Sequence, residues 1–333
     1  MFTQKWMHNH SEVLRRAAIT LLLSIPAKAG MPPSTFTSVP SLPSFTGVST
    51  TPKNVEWTEA ALRTVRMLTV NGGKELAEAG VLGRKRPVRI KVERIVIDET
   101  SNDENSSSAL PSNTKIVHFQ RHGQGYHNLI GEIFRESGRS IDFDERDPKK
   151  NPFVRPELVD SPLTAFGLAE CATWRGVGAS LRPDLIVVSP LQRAIRTATG
   201  TFADHIGTGA KWMAHEGCRE DLGLLSCNRM RPASEAAAEF PFVDFGGVSS
   251  GESDSLWGPD KRETRQEQAD RAYGFVTEFL RNRPEREIAV VTHSSFLFTM
   301  FNAVFDCGDD EDLRSWFMTS EIRSVRISFS ESQ

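Results

Sequence analysis

Three short apolar runs end abruptly in basic or polar residues, and a helical pattern follows each one. Ile116-Val117-His118-Phe119-Gln120 stops at Arg121-His122-Gly123. Leu185–Val188 stops at Ser189-Pro190-Leu191-Gln192-Arg193, and Ile288–Val291 stops at Thr292-His293. Runs of this length, bounded by turn residues, are those of buried strands. Strands alternating with helices build a sheet of parallel strands covered on both faces. The carboxyl ends of such strands share one rim, and ligands bind there. The repetition predicts an α/β fold: a doubly wound, mostly parallel sheet flanked by helices, with Arg121, His122, Arg193 and His293 at one rim.

Taken singly, each of these residues has a plainer reading. A histidine at a strand end is commonly structural, and a helix arginine is commonly solvated. Together they suit phosphoryl chemistry. Imidazole can act as a covalent nucleophile, and guanidinium matches phosphate oxygens as a fork. Gly123 lets the backbone turn beside the histidine. The helix opening near Gln192 offers backbone N–H groups to an anion.

Bulk properties exclude several other classes. With 333 residues the chain holds one large domain or two small ones. Its net charge of −3 gives no global attraction for nucleic acid or an anionic membrane. No apolar run approaches the roughly 20 residues of a membrane span. Cys171, Cys218, Cys227 and Cys307 are widely spaced, which fits reduced thiols in an intracellular protein better than zinc or disulfides. A soluble cytoplasmic protein is expected, with import into a plastid or mitochondrion as the alternative if residues 1–55 form a targeting peptide. That stretch has one acidic residue, Glu12, an apolar run from Ala17 to Ile25, and a Ser/Thr/Pro-rich continuation. Its plain reading is a disordered tail.

Residues 56–114 read as an N-terminal extension. Trp57, Ala61, Val65 and Leu68 recur at helical spacing, predicting a helix over 58–68 that stops at Asn71-Gly72-Gly73. Val88, Ile90 and Val92 alternate with charges as in an edge strand, beside the basic Arg84-Lys85-Arg86. Ser101–Asn113 reads as a polar linker. The catalytic domain spans 115–333, with Thr164 as N-cap of a helix over 165–180. Residues 224–260 lack periodicity and read as an insertion able to cover a site.

These motifs resemble, in order, the histidine phosphatase superfamily, also called phosphoglycerate mutase-like. The resemblance rests on Arg121-His122-Gly123 with Asn128, Leu163-Thr164-x-x-Gly167, Ser189-Pro190-Leu191-x-Arg193-x-x-x-Thr197, Cys218-Arg219-Glu220-x-x-Gly223, and Thr292-His293. Arg-His-Gly-Gln-Gly-x-His-Asn is most similar to the branch found in plants, fungi and algae. The resemblance implies His122 as a nucleophile forming phosphohistidine, with Arg121, Arg193 and His293 holding the phosphoryl oxygens. It implies Glu220 as general acid, with Glu216 in reserve, and Asn128, Gln124 and Arg219 as substrate contacts. It further implies a metal-independent phosphatase of a small phosphorylated metabolite, needing no cofactor. The alternatives are a phosphoglycerate mutase-type phosphotransferase and a non-catalytic phospho-ligand module. The chain departs from that branch at Cys227-Asn228-Arg229-Met230-Arg231, where the branch carries Cys-Asp-x-Arg. Composition and motifs leave the oligomeric state open.

Overall fold

The computed structural model describes residues 59–95, 110–249 and 253–332. The tail or targeting segment, and most of the 101–113 linker, lie outside the described residues. In chain order the elements are α1 (Glu59–Glu78), β1 (Val88–Arg94), β2 (Thr114–Arg121), α2 (Tyr126–Glu136), α3 (Ala165–Ser180), β3 (Leu185–Val188), α4 (Gln192–Thr201), β4 (Lys211–Ala214), α5 (Ala233–Glu239), α6 (Arg265–Gly274), β5 (Glu287–Thr292), α7 (Ser294–Ala303), α8 (Glu311–Arg314) and β6 (Ile322–Glu331). The strands form one six-stranded sheet in the order β1-β6-β2-β5-β3-β4. β2, β5, β3 and β4 run parallel, and β6 runs antiparallel to both β1 and β2. The sheet is therefore mostly parallel, with one strand reversed.

Strand periodicity divides the core between the two faces of the sheet. Val117, Phe119, Leu185, Val187, Ile288 and Val290 pack with Phe275, Phe296 and Phe301 on the α6–α7 side. Ile186, Val188, Ala289 and Val291 pack with Trp174, Ala194 and Ala198 on the α3–α4 side. On that second face β2 presents polar groups: His118 Nδ1 lies 2.8 Å from Ser324 Oγ, and Gln120 donates to Thr201 Oγ1 at 2.9 Å. His118 is answered at both ring nitrogens and Gln120 at its Nε2, as burial in an apolar layer favours.

The N-terminal extension differs from expectation at one point. α1 does not stop at Asn71-Gly72-Gly73 but runs on to Glu78. A Cβ on Gly72 would lie 2.6 Å from Phe298 Cε1, so the missing side chain lets α1 approach α7 closely. That contact offsets the roughly 1 kcal/mol glycine costs a helix interior. β1 pairs with β6 from Val88 to Arg94, joining the extension to the main sheet. Arg84 and Arg86 both donate to Asp270, at 3.0 and 2.8 Å. Among the described residues no helix is long and apolar enough to cross a membrane.

Candidate active site

Strand register brings the first two imidazoles together. β2 and β5 are adjacent and parallel, with Arg121 opposite Thr292. His122 N donates to Thr292 O at 2.9 Å, so the next residues, His122 and His293, emerge side by side. Their rings lie 5.0 Å apart, edge to face at 61°. β3 flanks β5, and Ser189 at its end places Oγ 2.7 Å from His293 Nε2.

His122 Nδ1 lies 2.6 Å from Gly123 O. A carbonyl only accepts, so Nδ1 carries the hydrogen and Nε2 keeps its lone pair. Burial first, then the charges of Arg193 and Arg121, hold this imidazole well below its ordinary pKa. The ring is neutral, with one basic nitrogen. Gly123 fits a tight space: a Cβ there would lie 2.7 Å from Gly167 O and 3.0 Å from Cys171 Sγ. Thr197 Oγ1 accepts from Gly123 N at 2.9 Å, one helical turn beyond Arg193. The spacing Arg193-x-x-x-Thr197 thus lets one helix face supply an arginine and brace the histidine loop.

Both arginines are anchored at the fork. Arg121 Nη1 donates to Phe317 O at 2.7 Å. Arg193 Nη1 donates to Cys227 O at 2.6 Å, and Nη2 to Asn228 Oδ1 at 2.9 Å. Asn228, the position where the sequence departs from its branch, is therefore a neutral acceptor for Arg193. Arg121 Nε, Arg193 Nε and His293 Nδ1 are buried with no hydrogen-bond partner in the protein, as are His127 Nδ1 and Arg219 Nε. A buried polar atom left so costs about 1–3 kcal/mol. Arg121 and Arg193 bear on His122 and the rings of His127 and His293 pack against it, an arrangement that suits an anionic oxygen.

A carboxyl pair stands on a different element. Glu220 accepts from Ser295 N at 3.3 Å and Phe296 N at 3.0 Å, at the start of α7. Its charge bears on both Arg121 and Arg193. Burial, then the neighbouring Asp221, raises the Glu220 carboxyl well above its ordinary value. Burial acts on Asp221 in the same sense, but Arg262 and Arg265 outweigh it and hold that carboxyl low. Two adjacent acids pushed apart in this way keep one proton and one charge, as acid–base chemistry requires. Glu216 instead accepts from Ser249 Oγ at 3.0 Å.

The remaining residues singled out from sequence lie close by but are engaged differently. Asn128 Oδ1 accepts from Gly125 N at 2.9 Å, capping α2. Gln124 ties the loop to α3: its carbonyl accepts from Thr164 N at 2.9 Å, and its Oε1 from Thr164 Oγ1 at 2.9 Å. Thr164 caps α3 by accepting from Gly167 N, as its sequence position predicts. Arg219 is fully buried and grips Asp254 with both Nη atoms, at 2.8 and 2.5 Å. The substrate contact expected of it is answered within the protein, except at Nε. The helix opening at Gln192, read from sequence as an anion seat, is filled from inside: Asp160 Oδ1 accepts from Gln192 N at 2.8 Å.

Two residues of the site escaped the sequence reading. His127 is buried, with its ring 5.3 Å from that of His122. Glu170, on α3, accepts from Gln124 N at 2.8 Å and from Thr319 Oγ1. Burial pushes the Glu170 carboxyl up to about 7. A sequence signal existed for His127: it follows a glycine by two residues at a helix start, where one side of the first turn faces inward.

Comparison with known proteins matches the sequence to a family. Residues 155–331 fit the model of the histidine phosphatase superfamily, branch 1. That stretch includes Arg193, Glu220 and His293 and begins after Arg121-His122. Phosphoglycerate mutase-like protein 1 of Arabidopsis thaliana is 31% identical over 245 residues, covering 64% of this chain and 81% of its own. A probable phosphoglycerate mutase of Saccharomyces cerevisiae is 27% identical over 225 residues, covering 57% and 73%. Among solved structures, a mycobacterial glucosyl-3-phosphoglycerate phosphatase aligns at 18% identity with a TM-score of 0.39, over 66% of this chain and 97% of that one.

Proposed function

The chain belongs to the histidine phosphatase superfamily, branch 1, and from that premise we propose that it is a metal-independent phosphatase of a small phosphomonoester. One observation carries this reading: Arg121 Nε, Arg193 Nε and His293 Nδ1 are buried without protein partners, both arginine charges bear on His122, and the His293 ring packs against that imidazole, whose Nε2 is basic.

His122 Nε2 attacks phosphorus, the N–P bond forms, and the ester P–O bond breaks. The leaving alkoxide takes the Glu220 proton. Arg121, Arg193 and His293 meet the charge on the three equatorial oxygens. Water then attacks the phosphohistidine. Glu220, now a carboxylate, accepts the proton of water, the N–P electron pair returns to Nε2, and phosphate leaves. The hydrogen stays on Nδ1 throughout, donated to Gly123 O. Two guanidinium charges serve where a metal serves in other phosphoryl-transfer sites, so a chelator leaves the rate unchanged.

A mutase shares the first half-reaction and then returns the phosphoryl group to a second acceptor, which is itself phosphorylated. Such a pocket needs further cations. Arg219, the next arginine beside the site, is committed to Asp254, which favours hydrolysis.

The test incubates the purified protein, with and without chelator, with a panel of phosphomonoesters including 3-phosphoglycerate. Free phosphate and 2-phosphoglycerate are measured together, with His122→Ala as control. Phosphate release that survives chelation and vanishes in the variant supports the reading. Isomerisation without phosphate release replaces it with the mutase. No turnover by a folded protein that still binds orthovanadate leaves the binding module.

A further inference from the structure

His127 has no role in the chemistry above, yet the fold gives it a prepared place there. It is the second residue of α2, and Tyr126 before it faces outward, 39% exposed. His127 faces inward, 8% exposed, against the nucleophile. Two features hold it. Ser161 Oγ accepts from His127 N at 3.1 Å. Gly125 leaves room for the ring, since a Cβ there would lie 2.6 Å from both His127 Nδ1 and Cε1. Any other residue at 125 displaces the imidazole.

A buried histidine is ordinarily explained by a hydrogen-bond partner in the protein. His118 has Ser324 and Glu287, and His205 has Gly178 O. His127 Nδ1 is buried with none. The groups whose charges bear on its ring are Arg193, His122 and Arg121, all cationic or neutral, and burial acts with them against protonation. No carboxylate is among them. The ring therefore lies among the two arginines and the imidazole of His122, beside the nitrogen on which the phosphoryl group is proposed to arrive.

We propose that His127 is a phosphoryl-binding residue, a third imidazole that donates a hydrogen bond to an oxygen of the bound phosphoryl group alongside Arg121, Arg193 and His293. This rests on the phosphatase reading and extends its binding set by one residue. It also gives Gly125 a purpose, as the position that must stay without a side chain for the donor to fit.

The test measures binding of orthovanadate and inorganic phosphate by calorimetry, apart from turnover. Three variants are compared with wild type: His127→Phe, which fills the space without a donor; His127→Asn, which returns a donor near Nδ1; and His127→Gln, which returns one near Nε2. His127→Phe is expected to lose affinity about tenfold, the loss of one good hydrogen bond to an anion. One of the two amides should recover most of it, and which one identifies the donating nitrogen. Thermal unfolding is followed in parallel. Full affinity in a folded His127→Phe overturns the inference. So does equal loss in all three variants, which is the pattern of a packing role. Absence of oxyanion binding by the wild type refutes the phosphatase reading itself, so the two failures are told apart.

Discussion

Two walls of the site are built in different ways. One carries Arg121, His122 and His293 on adjacent parallel strand ends, with Arg193 in the first turn of α4. Its geometry follows from sheet register and one helical turn, and its donors wait with unanswered N–H groups. The other carries Glu220 and Asp221 on the irregular stretch after β4, steadied by the α7 N-terminus, Arg262 and Arg265. It is fixed by contacts between distant parts of the chain, and its polar groups are answered from within. The difference separates two tasks. Under the proposed mechanism, the rigid wall would bind charge that arrives with the substrate, and the tuned wall would hold a proton until it is needed.

The largest expected effect breaks the first wall at its centre. His122→Ala should cut turnover by on the order of 10⁴-fold or more, as loss of a nucleophile does, while thermal unfolding stays near wild type. Substantial residual turnover contradicts the nucleophile assignment.

Breaking the second wall should be selective. Glu220→Gln should slow formation of the phosphoenzyme from alkyl phosphates by about 10²-fold or more and leave its formation from 4-nitrophenyl phosphate, read as a burst, nearly untouched, because only a poor leaving group needs the proton in that step. The pH profile follows with its sign. The acid limb belongs to His122, which must be unprotonated to attack and whose pKa is lowered, so activity rises below the ordinary imidazole value. The basic limb belongs to Glu220, which must be protonated and whose pKa is raised, so activity on alkyl phosphates falls as pH climbs through that raised value. In Glu220→Gln the basic limb disappears. Equal loss on both substrate types points to Glu216 or to a structural role.

Asp254→Asn tests whether the second wall depends on its remote support. The Arg219–Asp254 pair has side chains 0% and 1% exposed. Leaving Arg219 without its partner should cost about 3–5 kcal/mol of stability, read by denaturant unfolding. Hydrolysis of alkyl phosphates should fall further than orthovanadate affinity. An equal fall in both would mean that the two walls are one unit.

The smallest effect concerns the brace of the first wall. Thr164→Ala removes the α3 N-cap and a hydrogen bond to Gln124. It should cost about 1 kcal/mol, a drop of roughly 2 °C or less in a chain of this length, with kcat changed less than twofold.

This contrast also explains what the sequence could reveal. Strand ends announce themselves by an apolar run stopping at a charge, so Arg121, His122, Arg193, His293 and their common rim were legible, as was Thr164 before its helix. The second wall carries no period. Choosing between Glu220 and Glu216 required family resemblance, and the partners Asp254 and Asn228 are joined to Arg219 and Arg193 only by the folded chain. α1 outran its predicted end because Gly72 reads as a stop locally and as a contact with Phe298 in three dimensions. Asn128 belonged to the motif but caps α2, while His127 beside it faces His122. A helix start read only from its apolar residues does not show which polar side chain turns inward. The anion seat expected at α4 was misjudged for a related reason: Asp160, 32 residues earlier, already occupies it.

The most direct test of the account is to trap the intermediate. The protein is mixed with a ³²P-labelled phosphomonoester, quenched within milliseconds, and the label located by alkaline-stable peptide mapping. The account predicts acid-labile label on the peptide containing His122, lost in His122→Ala and accumulating when water attack is slowed. Steady turnover with no labelled protein at any time point, or label on another residue, would contradict it.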